Sequence, residues 1–297
     1  ASEQVFDDGG LRVRLYRSKR KRFAEPVLIC FALVNRPYVM DLRPDRSVMR
    51  QLGDAGFDVY LIDWGDPPAN AQQGSLATYA IERLRIAIRA TCAHAGAKHL
   101  HLFGYCMGGT LATIHTAVDP AAISSLTLVA TPIDFAAGDS LLHLWTREEY
   151  FDVDGLIETF GNCPGEFLKY CFMLMKPVQN IVEKYLKFCE HLDDSAFLDN
   201  FFAVEQWAND SVAVAGETFR EYVKRLYRGN ELVRGELELH GNPVQLQRIG
   251  TAVPGICDVR RTPNQRAIVT HAADITRQRA AAFIKWQVQN DICVRSG

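Results

Sequence analysis

The sequence predicts an α/β fold: a mostly parallel sheet with helices on both faces and a helical cap insertion. Continuous apolar runs are typical of strands buried on both faces, and longer stretches with helical spacing separate them, a rhythm that favours a parallel sheet. The predicted strands are 27–31, 59–62, 99–103 and 126–129. Between about 140 and 235 aromatic helical stretches replace this alternation, which predicts a cap within one domain over 1–297. A separate helical domain is the alternative.

The helices between the first strands have recognisable ends. Residues 45–55 have helical spacing, and Gly56 is the expected stop. Residues 76–95 form a long amphipathic helix that begins after Ser75, a candidate N-cap, and ends before Gly96.

Composition excludes several classes of partner. The 297 residues are 48% hydrophobic and 23% charged, with a formal net charge of -2, which gives no reason to expect binding to nucleic acid or to an anionic membrane. The basic cluster at 17–22 is interpreted as a solvated turn between two strands. No apolar run reaches the roughly 18 to 20 residues of a transmembrane segment. The N-terminus lacks a signal-peptide pattern and an initiator Met, so the sequence is consistent with a fragment.

The eight cysteines are sparse and irregularly spaced, with no C-x-x-C pair. This pattern argues against a disulfide scaffold and against a zinc site, and it predicts reduced thiols in a cytoplasmic protein.

The strongest local signal is the hexapeptide 104–109, Gly-Tyr-Cys-Met-Gly-Gly, between the strand ending at Phe103 and a helix predicted over 107–118. This context is that of a nucleophile elbow, a sharp turn that exposes its central side chain above the sheet edge. Gly104 and Gly108 flank Cys106 because a Cβ there would clash as strand and helix pack together. The alternative is a buried core cysteine before a glycine-rich helix start.

An elbow at Cys106 makes further predictions. The N-terminus of helix 107–118 should lower the pKa of the thiol and favour the thiolate. The backbone amide of Met107 is the first candidate oxyanion donor, and the loop after the first buried strand should supply the second, from Val34 or Asn35. Asn35 is equally well explained as a turn residue. A thiolate that attacks a thioester keeps the acyl group activated, which favours acyl transfer over hydrolysis.

Further strings surround the elbow: ALVNRPYVMDL at 32–42, FDVYLIDWG at 57–65, ATPIDF at 130–135, YFDVDGLIETFGNCPGEF at 150–167, LMKP at 174–177 and AGETFREYVKRLY at 215–227. Together with the elbow they resemble polyhydroxyalkanoate synthases of the α/β-hydrolase superfamily, specifically the catalytic subunits of two-subunit enzymes. The resemblance covers roughly residues 10 to 249.

The resemblance implies polymerisation of (R)-3-hydroxyacyl coenzyme A, most simply 3-hydroxybutyryl coenzyme A, into a polyester with release of coenzyme A. Cys106 would carry the growing chain as a thioester, with a His as general base supported by an Asp. The implied partners are a non-catalytic second synthase subunit and the surface of cytoplasmic polyester granules. No metal or redox cofactor is implied.

The tail over 250–297 departs from this family, because the expected Asp and Gly-His motifs are absent and Arg261 occupies the position expected for the acid. Divergence and a lost reading frame both explain the departure. Asp258, after the apolar run 255–257, and His271, after 267–270, are substitutes in the right order, and Asp134 is another candidate acid or a turn carboxylate. The remaining histidines are interpreted as core or surface residues.

Because the base is missing, we expect weak or absent turnover. The alternatives are a Cys-dependent hydrolase or thioesterase of the same fold, and a catalytically impaired member that binds the partner subunit or the granule.

Overall fold

The computed structural model describes residues 2–69, 74–137, 141–251 and 255–256. Seven strands form the main sheet in the order β1-β2-β6-β3-β7-β8-β11, and two short hairpins, β4-β5 and β9-β10, lie outside it. The strands are β1 Glu3–Asp7, β2 Arg12–Tyr16, β3 Val27–Cys30, β4 Asp41–Arg43, β5 Arg46–Ser47, β6 Val59–Asp63, β7 Leu100–Tyr105, β8 Ile123–Val129, β9 Glu238–Leu239, β10 Asn242–Pro243 and β11 Gly255–Ile256.

The helices of the described residues are α1 Val48–Ala55, α2 Leu84–Ala95, α3 Met107–Val118, α4 Leu141–Trp145, α5 Val153–Phe160, α6 Gly165–Met175, α7 Lys184–Glu190, α8 Ser195–Asn209, α9 Gly216–Glu221 and α10 Glu231–Arg234. Short 3-10 turns occur at Pro37–Met40 and Leu246–Arg248. Three π-helical segments, Thr78–Arg83, Val178–Glu183 and Tyr222–Arg228, run directly into or out of α2, α7 and α9.

The strands β6, β3, β7, β8 and β11 are parallel, and β1 and β2 add an antiparallel edge. Every residue of β3 is buried, as expected for a strand covered on both faces. Parallel pairing puts the carboxyl ends of these strands at one edge, where Cys30 is opposite Gly104 and Tyr105 is opposite Val129. The predicted mostly parallel α/β fold is therefore confirmed.

Several predicted element ends differ from the structure. The helix predicted over 45–55 begins at Val48, because Ser47 is its N-cap and its hydroxyl accepts the Arg50 amide at 3.0 Å. The strand predicted at 126–129 starts earlier, at Ile123, where it pairs with Leu100. The helix predicted over 76–95 has the predicted ends, although it includes the π-helical segment Thr78–Arg83 before α2. The Ser75 hydroxyl accepts the Thr78 amide at 3.2 Å, and Gly96 ends the helix at φ 64°.

The basic cluster 17–22 lies in the connection between β2 and β3, as the predicted turn. Lys21 in this turn pairs with Asp58 at 2.9 Å, while Arg17 pairs with Glu3 at 3.0 Å. These two ion pairs hold the turn against neighbouring parts of the same fold.

The described chain from 141 to 234 is mostly helical, with turns and loops between the helices and isolated β-bridges at Cys163, Ser211 and Val214. A small second apolar cluster lies within this region and includes Val153, Ile157, Cys163 and Val223. Within the described ranges, no helix has the length and apolar composition that crossing a lipid bilayer requires.

Candidate active site

Cys106 lies at the junction of β7 and α3, at the carboxyl edge of the sheet. Its backbone has φ 53° and ψ -129°, a conformation that L-residues rarely adopt and that costs about 1–3 kcal/mol. Its amide donates to the Val129 carbonyl of the neighbouring strand at 2.9 Å, and its own carbonyl accepts the Gly109 amide at 2.9 Å. The backbone on both sides therefore fixes the strained turn.

The glycines of the elbow allow a backbone approach that no side chain would permit. A Cβ on Gly104 would lie 2.4 Å from the Gly109 Cα, and one on Gly108 would lie 2.2 Å from the Cys30 carbonyl oxygen. A Cβ on Gly109 would lie 1.9 Å from the Thr131 hydroxyl. The sequence interpretation of Gly104 and Gly108 thus has a direct steric basis.

The electrostatics of the Cys106 thiol differ from the expectation. Burial raises its pKa above the ordinary 9.0, and a hydrogen bond from the Met107 amide acts in the opposite direction without overcoming burial. The expected lowering by the helix N-terminus is therefore wrong for this structure, because desolvation of the thiolate is the larger effect. Cys106 consequently needs a base to become a nucleophile near neutral pH.

The loop after β3 passes close to the elbow. The Cys30 and Phe31 carbonyl groups are the atoms nearest Gly108, and the Trp64 indole N–H donates to the Phe31 carbonyl at 2.8 Å. Val34, further along this loop, is half-buried and contacts both apolar clusters. The Met107 amide opposes the effect of burial on the Cys106 pKa, while the roles of Met107 and Val34 as oxyanion donors remain predictions.

Asn35 contacts the helical region, since it forms an antiparallel bridge with Ser211. The neighbouring Arg36 carbonyl accepts the Trp207 indole N–H at 2.8 Å. These contacts join the loop after β3 to the helical region, and both interpretations of Asn35 remain predictions.

Two tyrosines that the sequence did not suggest lie near Cys106. Tyr222 donates from its hydroxyl to the Thr110 hydroxyl at 3.1 Å, and Thr110 is in the first turn of α3. Burial raises the pKa of Tyr222 and of Tyr227, and the nearby Cys106 raises both further. Because residues five apart do not share a face of an α-helix, the sequence did not indicate that these two tyrosines lie together.

Asp134 follows β8, as predicted, but its carboxylate serves the local turn. It accepts the Asn230 side-chain amide at 2.8 Å and the Ala136 backbone amide at 3.1 Å. Asn230 in turn accepts the Phe135 amide at 3.0 Å. These contacts match the turn-carboxylate interpretation.

No histidine of the described residues hydrogen-bonds to Cys106. Each described histidine has other surroundings. Hydrogen bonds join His94 to Tyr60, His101 to Ser125, His115 to the Ala80 carbonyl and His191 to the Lys187 carbonyl. Glu25 lies beside His99, Glu82 lies beside His240, and the buried Nδ1 of His143 has no hydrogen-bond partner. Asp258 and His271 lie outside the described residues, although the strand predicted before Asp258 is present as β11, parallel to β8. In the described ranges, no group of three or more His, Cys, Asp or Glu side chains could hold a metal ion.

Comparison with protein families identifies an alpha/beta hydrolase fold model over residues 25–168. Relatives named Poly(3-hydroxyalkanoate) polymerase subunit PhaC are similar over much of the chain. The Haloferax mediterranei protein is 38% identical over 249 residues, 84% of this chain and 51% of the relative. The Haloarcula marismortui protein is 39% identical, over 77% of this chain and 48% of the relative. The Allochromatium vinosum protein is 38% identical, over 82% of this chain and 69% of the relative.

The chain thus spans about half the length of the two haloarchaeal relatives. Among solved structures, the thioesterase domain from the curacin biosynthetic pathway matches with a TM-score of 0.50 and 14% identity, over 96% of this chain and 98% of that one. A putative aryl esterase from Burkholderia cenocepacia matches with a TM-score of 0.50 and 11% identity, over 98% of this chain and 97% of that one. These two likenesses show the fold alone. With a cysteine on the strained elbow of an α/β-hydrolase sheet, and with this degree of identity to the PhaC subunits, the chain belongs to the poly(3-hydroxyalkanoate) polymerase PhaC family.

Proposed function

We propose that this chain carries the nucleophile of an acyltransferase that polymerises (R)-3-hydroxyacyl coenzyme A, with 3-hydroxybutyryl coenzyme A as the expected monomer. The observation that carries the proposal is Cys106 in its strained elbow, at the start of α3, in a member of the PhaC family. Sulfur at this position suits transfer between thioesters.

The proposed chemistry has two half-reactions. The Cys106 thiolate attacks the carbonyl carbon of the acyl thioester, a new carbon–sulfur bond forms, and the bond to coenzyme A breaks. Coenzyme A leaves as a thiolate and takes up the proton that Cys106 lost. The hydroxyl of a second hydroxyacyl group then attacks the carbonyl carbon of the Cys106 thioester. The ester bond forms, the carbon–sulfur bond breaks, and the cysteine sulfur takes up the hydroxyl proton, which extends the chain and restores the free thiol.

The Met107 amide supports the tetrahedral oxyanion in both steps, and we propose the Val34 amide as the second donor. Loss of one such donor typically costs about 100-fold to 1,000-fold in kcat. The closeness of the chain after β3 to Gly108 supports this assignment.

The helical segment 140–235 serves as the cap of this site in our proposal. Its support is the contact of Tyr222 with Thr110, which brings the segment onto the helix that follows Cys106. A non-catalytic second subunit and the surface of cytoplasmic polyester granules are the proposed partners. The exposed apolar side chains of α6, α7 and α8 are the surface best suited to them.

One observation favours a second candidate, a catalytically impaired member that binds the granule or the partner subunit. Burial raises the pKa of Cys106, and no histidine of the described residues reaches it. An enzyme of this fold needs such a base to form the thiolate.

Incubation of the purified protein with (R)-3-hydroxybutyryl coenzyme A tests these functions. We expect the intact mass to rise by one 3-hydroxybutyryl group, with release of one equivalent of coenzyme A, and polymer as the product of later turnovers. Free 3-hydroxybutyrate without polymer would indicate the thioesterase, and absence of acylation would indicate the impaired binding protein.

Cys106→Ala and Cys163→Ala form a matched pair for this experiment, since both cysteines are free thiols. Acylation should disappear in Cys106→Ala and persist in Cys163→Ala. Acylation that survives Cys106→Ala would overturn the assignment of the nucleophile.

A further inference from the structure

The β3 loop, residues 31–36, is held at both ends by tryptophan side chains. At its start, the Trp64 indole N–H donates to the Phe31 carbonyl at 2.8 Å. At its end, the Trp207 indole N–H donates to the Arg36 carbonyl, also at 2.8 Å. Trp64 directly follows β6, whereas Trp207 lies near the C-terminal end of α8. The sheet and the helical region therefore hold opposite ends of the same loop.

Further contacts attach the end of α8 to the β3 loop. Asn35 forms an antiparallel bridge with Ser211, two residues after α8. The Arg36 guanidinium lies 2.8 Å from the Asp66 carboxylate and 3.5 Å from the Asp210 carboxylate. The backbone and the side chain of Arg36 are therefore both bound, which restricts the peptide groups at this end of the loop.

The start of the β3 loop packs against the elbow. A Cβ on Gly108 would lie 2.2 Å from the Cys30 carbonyl oxygen and 2.5 Å from the Phe31 carbonyl oxygen. Val34, the residue proposed as the second oxyanion donor, lies between this fixed start and the Arg36 end. A change at the Arg36 end would consequently displace the Val34 amide more than the start of the loop.

Trp207 differs from the rest of its helix. No residue of α8 is fully buried, yet Trp207 is half-buried and packs against the main apolar core. An indole N–H that is removed from water usually finds a hydrogen-bond acceptor, and here the acceptor belongs to the β3 loop. The helical region thus reaches the loop beside the elbow through one directed hydrogen bond.

We propose that Trp207 is a positioning residue for acyl transfer, because its indole N–H holds the Arg36 carbonyl and thereby fixes the Val34 amide as an oxyanion donor. This inference rests on the proposed function of Cys106 and of Val34. Oxyanion donors accelerate a reaction when the fold places them before charge develops. A misplacement of about 1 Å can cost about 100-fold in rate.

Two reactions of Cys106 separate this role from a general effect on the fold. Acylation by (R)-3-hydroxybutyryl coenzyme A passes through a tetrahedral oxyanion, which donors stabilise. Iodoacetamide instead alkylates the thiolate by displacement at a methylene carbon, where a carbon–sulfur bond forms, the carbon–iodine bond breaks and iodide leaves. An oxyanion donor therefore accelerates acylation and leaves alkylation unaffected. Intact mass against time measures both rates.

Trp207→Phe keeps an aromatic ring and removes the indole N–H. It should slow acylation about tenfold, more than most single hydrogen bonds contribute and less than the roughly 100-fold loss of a whole donor. Alkylation should keep its rate. Trp145→Phe, at a half-buried tryptophan of α4, is the matched control and should change neither reaction.

Replacement of Trp207 by benzothienylalanine provides a second variant, since it exchanges only the N–H for sulfur at nearly the same volume. It should reproduce the slower acylation even where Trp207→Phe unfolds. An acylation rate that stays unchanged in this variant would overturn the inference and leave the proposed function intact. Equal slowing of acylation and alkylation would also overturn it, because Trp207 would then act on the cysteine or the whole fold. An unsubstituted protein that iodoacetamide modifies but the thioester does not acylate would overturn the proposed function, and this inference with it.

Discussion

The helix after Cys106 and the helices between 141 and 234 both contain apolar residues but bury them very differently. In α3 every residue from Met107 to Ala117 is buried, whereas the fifteen residues of α8 include none that are buried. The exposed large apolar side chains of the described residues lie almost all between 141 and 202, Tyr38 and Ile86 apart. The sheet region therefore has a closely packed core, whereas the segment 141–202 exposes large apolar side chains to solvent.

This difference indicates which region stabilises the fold and which region is suited to bind partners. Burial of apolar area contributes about 25 cal/mol per Å², so the buried side chains of α3 and its strands stabilise the fold more than the exposed apolar side chains of 141–202 do. Exposed apolar side chains contribute little to folding and are typical of interaction surfaces. The prominent members of this surface are Tyr170, Leu174, Val178, Val182, Tyr185, Leu186 and Phe202.

A matched pair of leucine substitutions gives the largest expected effect and could break the comparison. Leu111 of α3 is fully buried, so Leu111→Ala should lower the free energy of unfolding by about 3 to 5 kcal/mol. Leu186 of α7 is 57% exposed, so Leu186→Ala should change it by less than about 0.5 kcal/mol. Urea unfolding followed by circular dichroism measures both, and equal losses would show that α7 is as well packed as α3.

A pair of glycine substitutions sharpens the comparison at the elbow itself. Gly108→Ala should lower the free energy of unfolding by about 3 kcal/mol, because its Cβ would lie 2.2 Å from the Cys30 carbonyl oxygen, and backbone cannot easily yield. Gly53→Ala in α1 meets no atom within 4 Å and should raise stability by about 0.5 to 1 kcal/mol. A Gly108→Ala protein that unfolds like the unsubstituted one would mean that α3 can shift away from β3.

Acid should destabilise the protein through His115 of α3. Burial holds the pKa of His115 at about 4, well below the ordinary 6.5, since the residue is only 2% exposed. As the pH falls below 6.5 the unfolded chain binds the proton first, so stability declines from pH 6.5 to about 4. Between pH 8 and pH 5 this one group should remove about 2 kcal/mol from the free energy of unfolding.

His115→Asn provides the control for this prediction, since an asparagine amide can still donate to the Ala80 carbonyl, which lies 3.0 Å from Nδ1 of His115. Unfolding free energies at pH 8 and pH 5 should differ less in His115→Asn than in the unsubstituted protein, by about 2 kcal/mol. An equal pH dependence in both proteins would assign the acid sensitivity elsewhere.

The sequence predicted the parts of the fold that follow from local rules. The apolar run at 27–31, the glycines around Cys106 and the caps at Ser75 and Gly96 each act through their own neighbours, and the structure confirms them. The α/β-hydrolase fold and the resemblance to polyhydroxyalkanoate synthases are confirmed as well.

What the sequence did not predict depends on tertiary geometry. The pKa of Cys106 reflects how much water the folded chain removes from the sulfur, which no spacing rule contains. The pairing of Tyr222 with Tyr227 needs a π-helical turn, and an α-helical pattern places them on different faces. Likewise, the apolar residues of α8 predict a helix but not whether another surface covers them.

The backbone conformation of the elbow does not depend on the side chain of Cys106. Its bend is fixed by the amide that Cys106 donates to Val129, by the Gly109 amide that Cys106 accepts, and by the bare α-carbons of Gly104 and Gly108. A side-chain oxygen could therefore replace the sulfur at residue 106 without a change in the backbone of the elbow. Evolution could therefore exchange the reactive atom in a single step, and the chemistry carried out on this scaffold is open to change while its architecture stays constant.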